Sequence, residues 1–222
     1  MYKILLLNLF CLHIGFVFAL LIGLHPTVAF SSAKKEMIDE LTPMVVTAKG
    51  GFPEPFNSTA WSITTLETDA IKGNARSLPE ALSGIPSIMV QKTALGQSSP
   101  YIRGLTGYHN VLLVDGIRLN HSAMRSGPNQ YWSTVELFGS ERVEALRGTH
   151  GVLFGADAVG GIVNLLSSEP QYSNQKKTRS FEALGRASSA ENSWSAGFSA
   201  EVSSPKWFAE ISHIERSFGD LE

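Results

Sequence analysis

Val111-Leu112-Leu113-Val114-Asp115-Gly116-Ile117-Arg118-Leu119-Asn120 is the stretch on which the fold turns. Four β-prone apolar residues in a row leave no polar parity, so this strand is expected to be covered on both faces. Asp115-Gly116 then interrupts it, and the chain resumes with β-prone residues. A two-residue Asp-Gly link between such runs is a strong hairpin signal. Toward the N-terminus, Ser77-Leu78-Pro79-Glu80 has the spacing of a capping box. Leu78, Ala81, Leu82 and Ile85 share one helical face, and Gly84 with Pro86 ends that turn. Residues 88–91 and 99–103 read as short strands. On the other side, residues 141–147 and 161–166 are two more strands, joined by the glycine-rich segment 148–160. The sum is a small α+β domain spanning residues 61–170.

Past Lys176-Lys177 the periodicity changes. Phe181, Ala183, Gly185 and Ala187 alternate with Ser180, Glu182, Leu184 and Arg186. Trp194, Ala196, Phe198, Ala200 and Val202 alternate with Ser195, Gly197, Ser199 and Glu201, and Trp207, Ala209 and Ile211 share one parity in a third run. Three strands of about nine residues with one apolar face match transmembrane β-strands in length and pattern. A soluble antiparallel sheet alternates in the same way, and the alternation by itself leaves the two readings open.

The N-terminus has a single charge, Lys3, ahead of an apolar run over residues 4–24, followed by Pro26 and small residues. A short positive start, an apolar core and a small-x-small exit are expected of a secretory signal peptide over residues 1–33. About 20 apolar residues would also span a bilayer as a retained anchor. Residues 34–60 carry Pro43, Pro53, Pro55 and Gly50-Gly51 and suit a flexible arm. Within the arm, Met44-Val45-Val46-Thr47-Ala48 is an isolated strand former. It suits either a first edge strand of the domain or pairing with the exposed sheet edge of a partner.

Composition narrows the function classes. Over 222 residues the chain is 43% hydrophobic and 17% charged, with a net charge of −2 and a pI near 6.3. Nothing in that balance marks a nucleic-acid partner. Cys11 is the only cysteine and lies in the signal segment, so neither disulfides nor thiolate metal ligands are expected of the mature chain. Residues 148–155 lack the Lys-Ser or Lys-Thr ending of a phosphate loop, and residues 155–161 lack the glycine order of a dinucleotide turn. His109, His121, His150 and His213 show no metalloprotease spacing and no nucleophile partner. His121 with Met124 is at most a soft pair in a solvated loop. No cofactor, no metal and no enzymatic activity are expected.

Several long motifs in register resemble one family. Tyr101-Ile102-Arg103-Gly104, the hairpin stretch 111–120, Glu141-Arg142-Val143-Glu144-Ala145-Leu146-Arg147-Gly148 and residues 153–164 are similar, in that order, to the plug signature of TonB-dependent outer-membrane receptors. Thr149-His150-Gly151 departs from the family's usual Pro-Ser-Ser turn. The resemblance covers residues 44–170. It implies an α+β plug domain followed by the start of an antiparallel transmembrane β-barrel, here over residues 178–222. Family barrels close with about 22 strands, so the sequence is expected to be part of a longer product or the remnant of one.

The resemblance also implies roles. Met44, Val45, Val46, Thr47 and Ala48 resemble the TonB box, through which the energy-coupling protein TonB pairs a strand with the receptor and pulls. Arg103 and Arg147 match family arginines that lock plug to barrel through buried glutamates. Ligand contacts in the family lie on outward loops, here residues 94–100 and 121–132; the second offers Arg125, Asn129, Gln130, Tyr131 and Trp132 to a polar, bulky ligand. Each of these residues also suits packing of the plug against the barrel wall. The expected function is receptor-mediated uptake of a scarce chelate (siderophore-iron, haem or cobalamin) across the outer membrane of a Gram-negative bacterium. The expected partners are TonB, a small-molecule or metal-chelate ligand and outer-membrane lipid. The alternative is a stand-alone periplasmic plug-like binding module without transport.

Overall fold

The structure is a computed structural model that describes residues 44–45, 47, 52–71, 73–94, 96–121, 126–173, 177–189 and 192–219. The expected signal segment, most of the arm, Val46, Ala48, Met124 and Arg125 lie outside the described residues. The described residues belong to one compact unit, Thr42–Glu222.

The Asp-Gly hairpin forms where its sequence requires. β6 (Asn110–Val114) turns into β7 (Ile117–Arg118) with Leu113 opposite Arg118 and Val114 opposite Ile117. Asp115 and Gly116 take φ of 51° and 79°, the left-handed pair of a type I′ turn. Asp115 is further fixed by accepting the backbone N–H of Ser167 at 2.8 Å and its hydroxyl at 2.6 Å.

Around this hairpin a five-stranded sheet is laid down in the order β3 (Ser62–Glu67), β8 (Ser140–Arg147), β9 (Gly161–Ser167), β6 and β7. β9 runs parallel to β6, whereas β8 and β3 add antiparallel neighbours. Strand alternation sends successive side chains to opposite faces. Leu112, Val143, Ala145, Val163 and Leu165 meet Leu78, Leu82, Ile85, Ile88, Ile102, Trp132 and Leu137 in one core. Val111, Leu113, Leu146 and Ile162 meet Ile63, Ala158 and Val45 in a second. Coverage of the 111–114 run on both faces follows from these two cores.

The first core is roofed by α2 (Leu78–Ala81), which runs into a 3-10 turn at Leu82–Gly84, and by the hairpin of β4 (Ile88–Ala94) and β5 (Gln97–Ile102). Ahead of α2 lies α1 (Thr68–Ile71). The expected capping box does not form. Ser77 sits at the N-cap position, but its hydroxyl lies 3.0 Å from that of Ser98 on β5. Glu80 instead accepts the backbone N–H of Arg76 at 2.8 Å and also takes the Arg76 guanidinium. A buried hydroxyl partner on the neighbouring strand outcompetes the local cap.

The last three strands, β10 (Thr178–Ser188), β11 (Ser193–Ser203) and β12 (Phe208–Ser217), pair antiparallel without a break in register. Phe181 lies opposite Ala200, Ala200 opposite Ile211, and Ala183 opposite Phe198, so the apolar parities of the three strands share one face. That face is exposed, with Phe181 and Ile211 among its open side chains. The opposite face, which includes Leu184, Ser195, Ile214 and Arg216, turns toward Leu137 and Phe138 of the α+β domain. Among the described residues no helix is long and apolar enough to cross a membrane, which says nothing about strands.

Candidate functional site

Roles are expected of three groups of residues, and the fold places these groups separately. Met44–Val45 forms β1 and pairs antiparallel with β2 (Glu54–Pro55). Val45 has no exposed surface and inserts into the second core beside Ile63, Val111 and Leu146. Thr47 is equally enclosed. Its N–H donates to Glu144 Oε2 at 2.7 Å, and its hydroxyl accepts from Asn164 Nδ2 at 2.9 Å. Asn164 Oδ1 in turn takes the Gly116 N–H at 3.1 Å, so one amide links Thr47 to the hairpin turn.

Glu144 explains why this docking is specific. Its carboxylate is completely buried in β8, where an unpaired charge would be costly. Arg142 Nε donates to Oε1 at 3.2 Å, and the Thr47 N–H serves Oε2. A segment that leaves therefore takes a donor away from a buried carboxylate and reopens an apolar slot. Met44 stays 43% exposed, so the segment shows one side to solvent while the other is held.

Arg103 and Arg147 converge on the Pro86-Ser87 turn. Arg147 donates from Nη1 to the Pro86 carbonyl at 2.9 Å and from Nη2 to Thr64 Oγ1 at 3.1 Å. The Arg103 N–H donates to the Ser87 carbonyl at 2.9 Å, and its own backbone takes a φ of 52°. Neither guanidinium meets a carboxylate among the described residues. Arg103 lies over Gly148, where a Cβ would come within 3.2 Å of Nη1. Next to it His150 is buried, with Nδ1 hydrogen-bonded to the Gly148 carbonyl at 2.8 Å and the ring packed on Trp61 with centroids 4.6 Å apart. Burial holds the His150 pKa below its usual value; the Gly148 bond pulls the other way, and the Arg103 charge adds to the lowering.

The two candidate ligand loops come together. A cavity of about 200 Å³ opens between them, lined by Gln91, Thr93, Ser98, Ser99, Pro128 and Gln130. Among the described residues its lining is uncharged, with hydroxyls and amides. Gln130 and Tyr131 are exposed, and Tyr131 packs edge-on against His121 at 5.5 Å. Asn129 and Trp132 are buried: Asn129 caps the 3-10 turn Gln130–Thr134 by accepting the Tyr131 N–H, and Trp132 fills the first core. Arg125 lies outside the described residues. Gln91 and Thr93 were not legible as site residues, because nothing separates them from any solvated strand position until β5 folds back over β4. Among the described residues no group of His, Cys, Asp and Glu is arranged to hold a metal ion.

A mixed sheet with a docked N-terminal segment, loops gathered at one edge and an outward-apolar sheet after it define a class. Residues 55–162 match the family model for the TonB-dependent receptor plug domain, and the chain carries such a plug followed by the start of a β-barrel. The curated relatives include a vitamin B12 transporter, BtuB, of Photobacterium profundum, 33% identical over 56% of this chain and 20% of that one. BtuB of Vibrio vulnificus is 32% identical over 66% of this chain and 23% of its own length. This chain thus spans about a fifth of the curated relatives it matches. Among solved structures, the FpvAI–pyocin S2 complex gives a TM-score of 0.60 at 20% identity, covering 78% of this chain and 22% of that one. The siderophore receptor PirA from Acinetobacter baumannii gives 0.52 at 17% identity, over 70% and 24%. The two BtuB relatives are vitamin B12 transporters, and PirA is a siderophore receptor.

Proposed function

We propose that this chain serves a TonB-dependent receptor of the outer membrane that takes up a scarce nutrient chelate, with a cobalamin as the favoured ligand. The observation that carries the reading is the joining, in one chain, of a plug to strands whose outward face is apolar and whose inward face turns to the plug. Such a sheet is suited to lipid outside and to protein inside. The choice of cobalamin over siderophore-iron or haem rests on the two vitamin B12 transporters at 32–33% identity.

In this reading residues 44–48 are the TonB box. Strand addition by TonB needs free backbone donors and acceptors. The Thr47 N–H is occupied by Glu144 and Val45 is sunk in the core, so the box must leave the plug before TonB can pair with it. Energy transmission then follows ligand binding only if the docked state is the resting one.

Uptake of radiolabelled cyanocobalamin decides the matter. Cells carrying the native gene should accumulate the label, and deletion of either this gene or that of TonB should abolish accumulation. Undiminished uptake after deletion of this gene sinks the proposal.

A further inference from the structure

We propose that the end of β12 and the residue after it, through Arg216 and Phe218, form a clamp that holds Glu136 and Gly96, at the stem of one candidate ligand loop and the tip of the other, against the barrel sheet. The identification of these as ligand loops rests on the function proposed above; the clamp itself rests on contacts. Ile214 and Arg216 share the strand parity that faces the plug, and Phe218 follows just past the strand end. Arg216 Nη2 meets Glu136 Oε2 at 2.6 Å, and Nη1 donates to the Arg76 carbonyl at 2.7 Å. Glu136 stands just after the Gln130–Thr134 turn, at the stem of the 121–132 loop. Its other oxygen accepts the N–H groups of Leu137 and Phe138 at 2.9 and 3.0 Å, which fixes the carboxylate in place. Arg216 thus grips a rigid acceptor, not a swinging side chain.

Phe218 takes the other loop. A Cβ on Gly96, at the tip of the β4–β5 hairpin, would fall 2.6 Å from the Phe218 ring, so the ring lies directly on the glycine. The seam between plug and strands is nearly closed here, with a void of only about 30 Å³ beside Leu137, Trp194 and Ile214. Elsewhere along the same seam a cavity of about 350 Å³ separates them, edged by Asp69, Glu141, Glu169, Glu182, Glu201 and Glu210. The plug is therefore pinned at the ligand-loop end and loosely held at the acid-lined end. The polarity of the clamp is the reverse of that implied for Arg103 and Arg147, since here the arginine is on the barrel strand and the carboxylate on the plug.

The test uses the full native protein and limited proteolysis of residues 94–100 and 121–129, with R216E, E136R and the R216E/E136R swap. Each single reversal should raise cleavage of the 121–129 segment about tenfold, the scale of losing a charged contact that opposes a local opening. The swap should return most of that protection, and R216K should fall between. Unchanged cleavage in R216E, or a swap no better protected than the single variants, overturns the clamp. A loosened 121–129 segment with normal cyanocobalamin uptake would keep the clamp and remove the ligand-loop reading instead.

Discussion

Replacing Val45 with alanine removes two methyl groups from a side chain that has no exposed surface and packs beside Ile63, Val111 and Leu146. At about 0.8 kcal/mol per buried carbon, plus a small term for the void left behind, the docked segment loses about 2 kcal/mol. The segment is joined to its neighbour over only two register positions, Met44 with Pro55 and Val45 with Glu54. It is thus expected to open locally, without unfolding the sheet beneath. A loss of about 2 kcal/mol shifts that opening about thirtyfold. The Thr47 amide reports it directly, because its hydrogen is held by Glu144. Hydrogen exchange on the native protein should show the Thr47 amide of V45A exchanging about thirtyfold faster, with amides of the β4–β5 pair shifting less than about threefold. Glu144→Gln weakens the acceptor without emptying the slot, and should accelerate the same amide by a smaller factor, about fivefold. Unchanged exchange at Thr47 in V45A would refute the docking argument; so would an equal rise at every amide, since that would mean global and not local loosening.

Further outcomes follow from charge and packing. Burial by itself would raise the Glu80 pKa, but hydrogen bonds from Arg76 and Lys92 outweigh it and lower it from 4.5 to about 2. The stabilisation is therefore complete above the unfolded value and is lost as pH falls from about 4.5 toward 2; urea melts at about pH 5.5 and about pH 3 should show a smaller drop for E80Q than for the parent. Burial lowers the His150 pKa and the Arg103 charge adds to the lowering, so the folded imidazole takes up its proton at lower pH than the unfolded one. The unfolded chain takes up that proton near pH 6.5, so stability falls as pH drops below it, and H150Q should flatten this part of the stability–pH curve. Gly161→Ala places a Cβ 2.5 Å from the Leu146 carbonyl and 2.8 Å from Ile102 Cγ2. The β8–β9 pair must spread to admit it, costing about 1–3 kcal/mol, visible as a lower unfolding midpoint of the plug.

What could be seen in the sequence were features carried by neighbouring residues. Asp115-Gly116 announced its turn because two positive φ angles demand those residue types, and the alternation of residues 181–187 and 194–202 announced strands because one face differs chemically from the other. β3 was missed for the same reason in reverse. Ser62-Ile63-Thr64-Thr65-Leu66-Glu67 offers each core a single apolar side chain, Ile63 to one and Leu66 to the other, so no period stands out. Pairings between distant segments left no local trace. The parallel match of β6 with β9, the reach of Thr47 to Glu144 across 97 residues and that of Arg216 to Arg76 across 140 depend on topology. Loop residues showed the opposite limit: Asn129, Gln130, Tyr131 and Trp132 read alike as polar or aromatic, and only packing separates the buried pair from the exposed one.

The most direct test of the central claim is a disulfide cross-link from Met44→Cys to single cysteines along the sheet edge of the TonB C-terminal domain, with and without cyanocobalamin. Met44 is on the open side of the docked segment, so the substitution leaves Val45 and Thr47 in place. Adducts are expected at alternate TonB positions, as in strand pairing, and should become more abundant when ligand is present. An introduced thiol at this position that reacts with a small maleimide but forms no TonB adduct under either condition would contradict that claim.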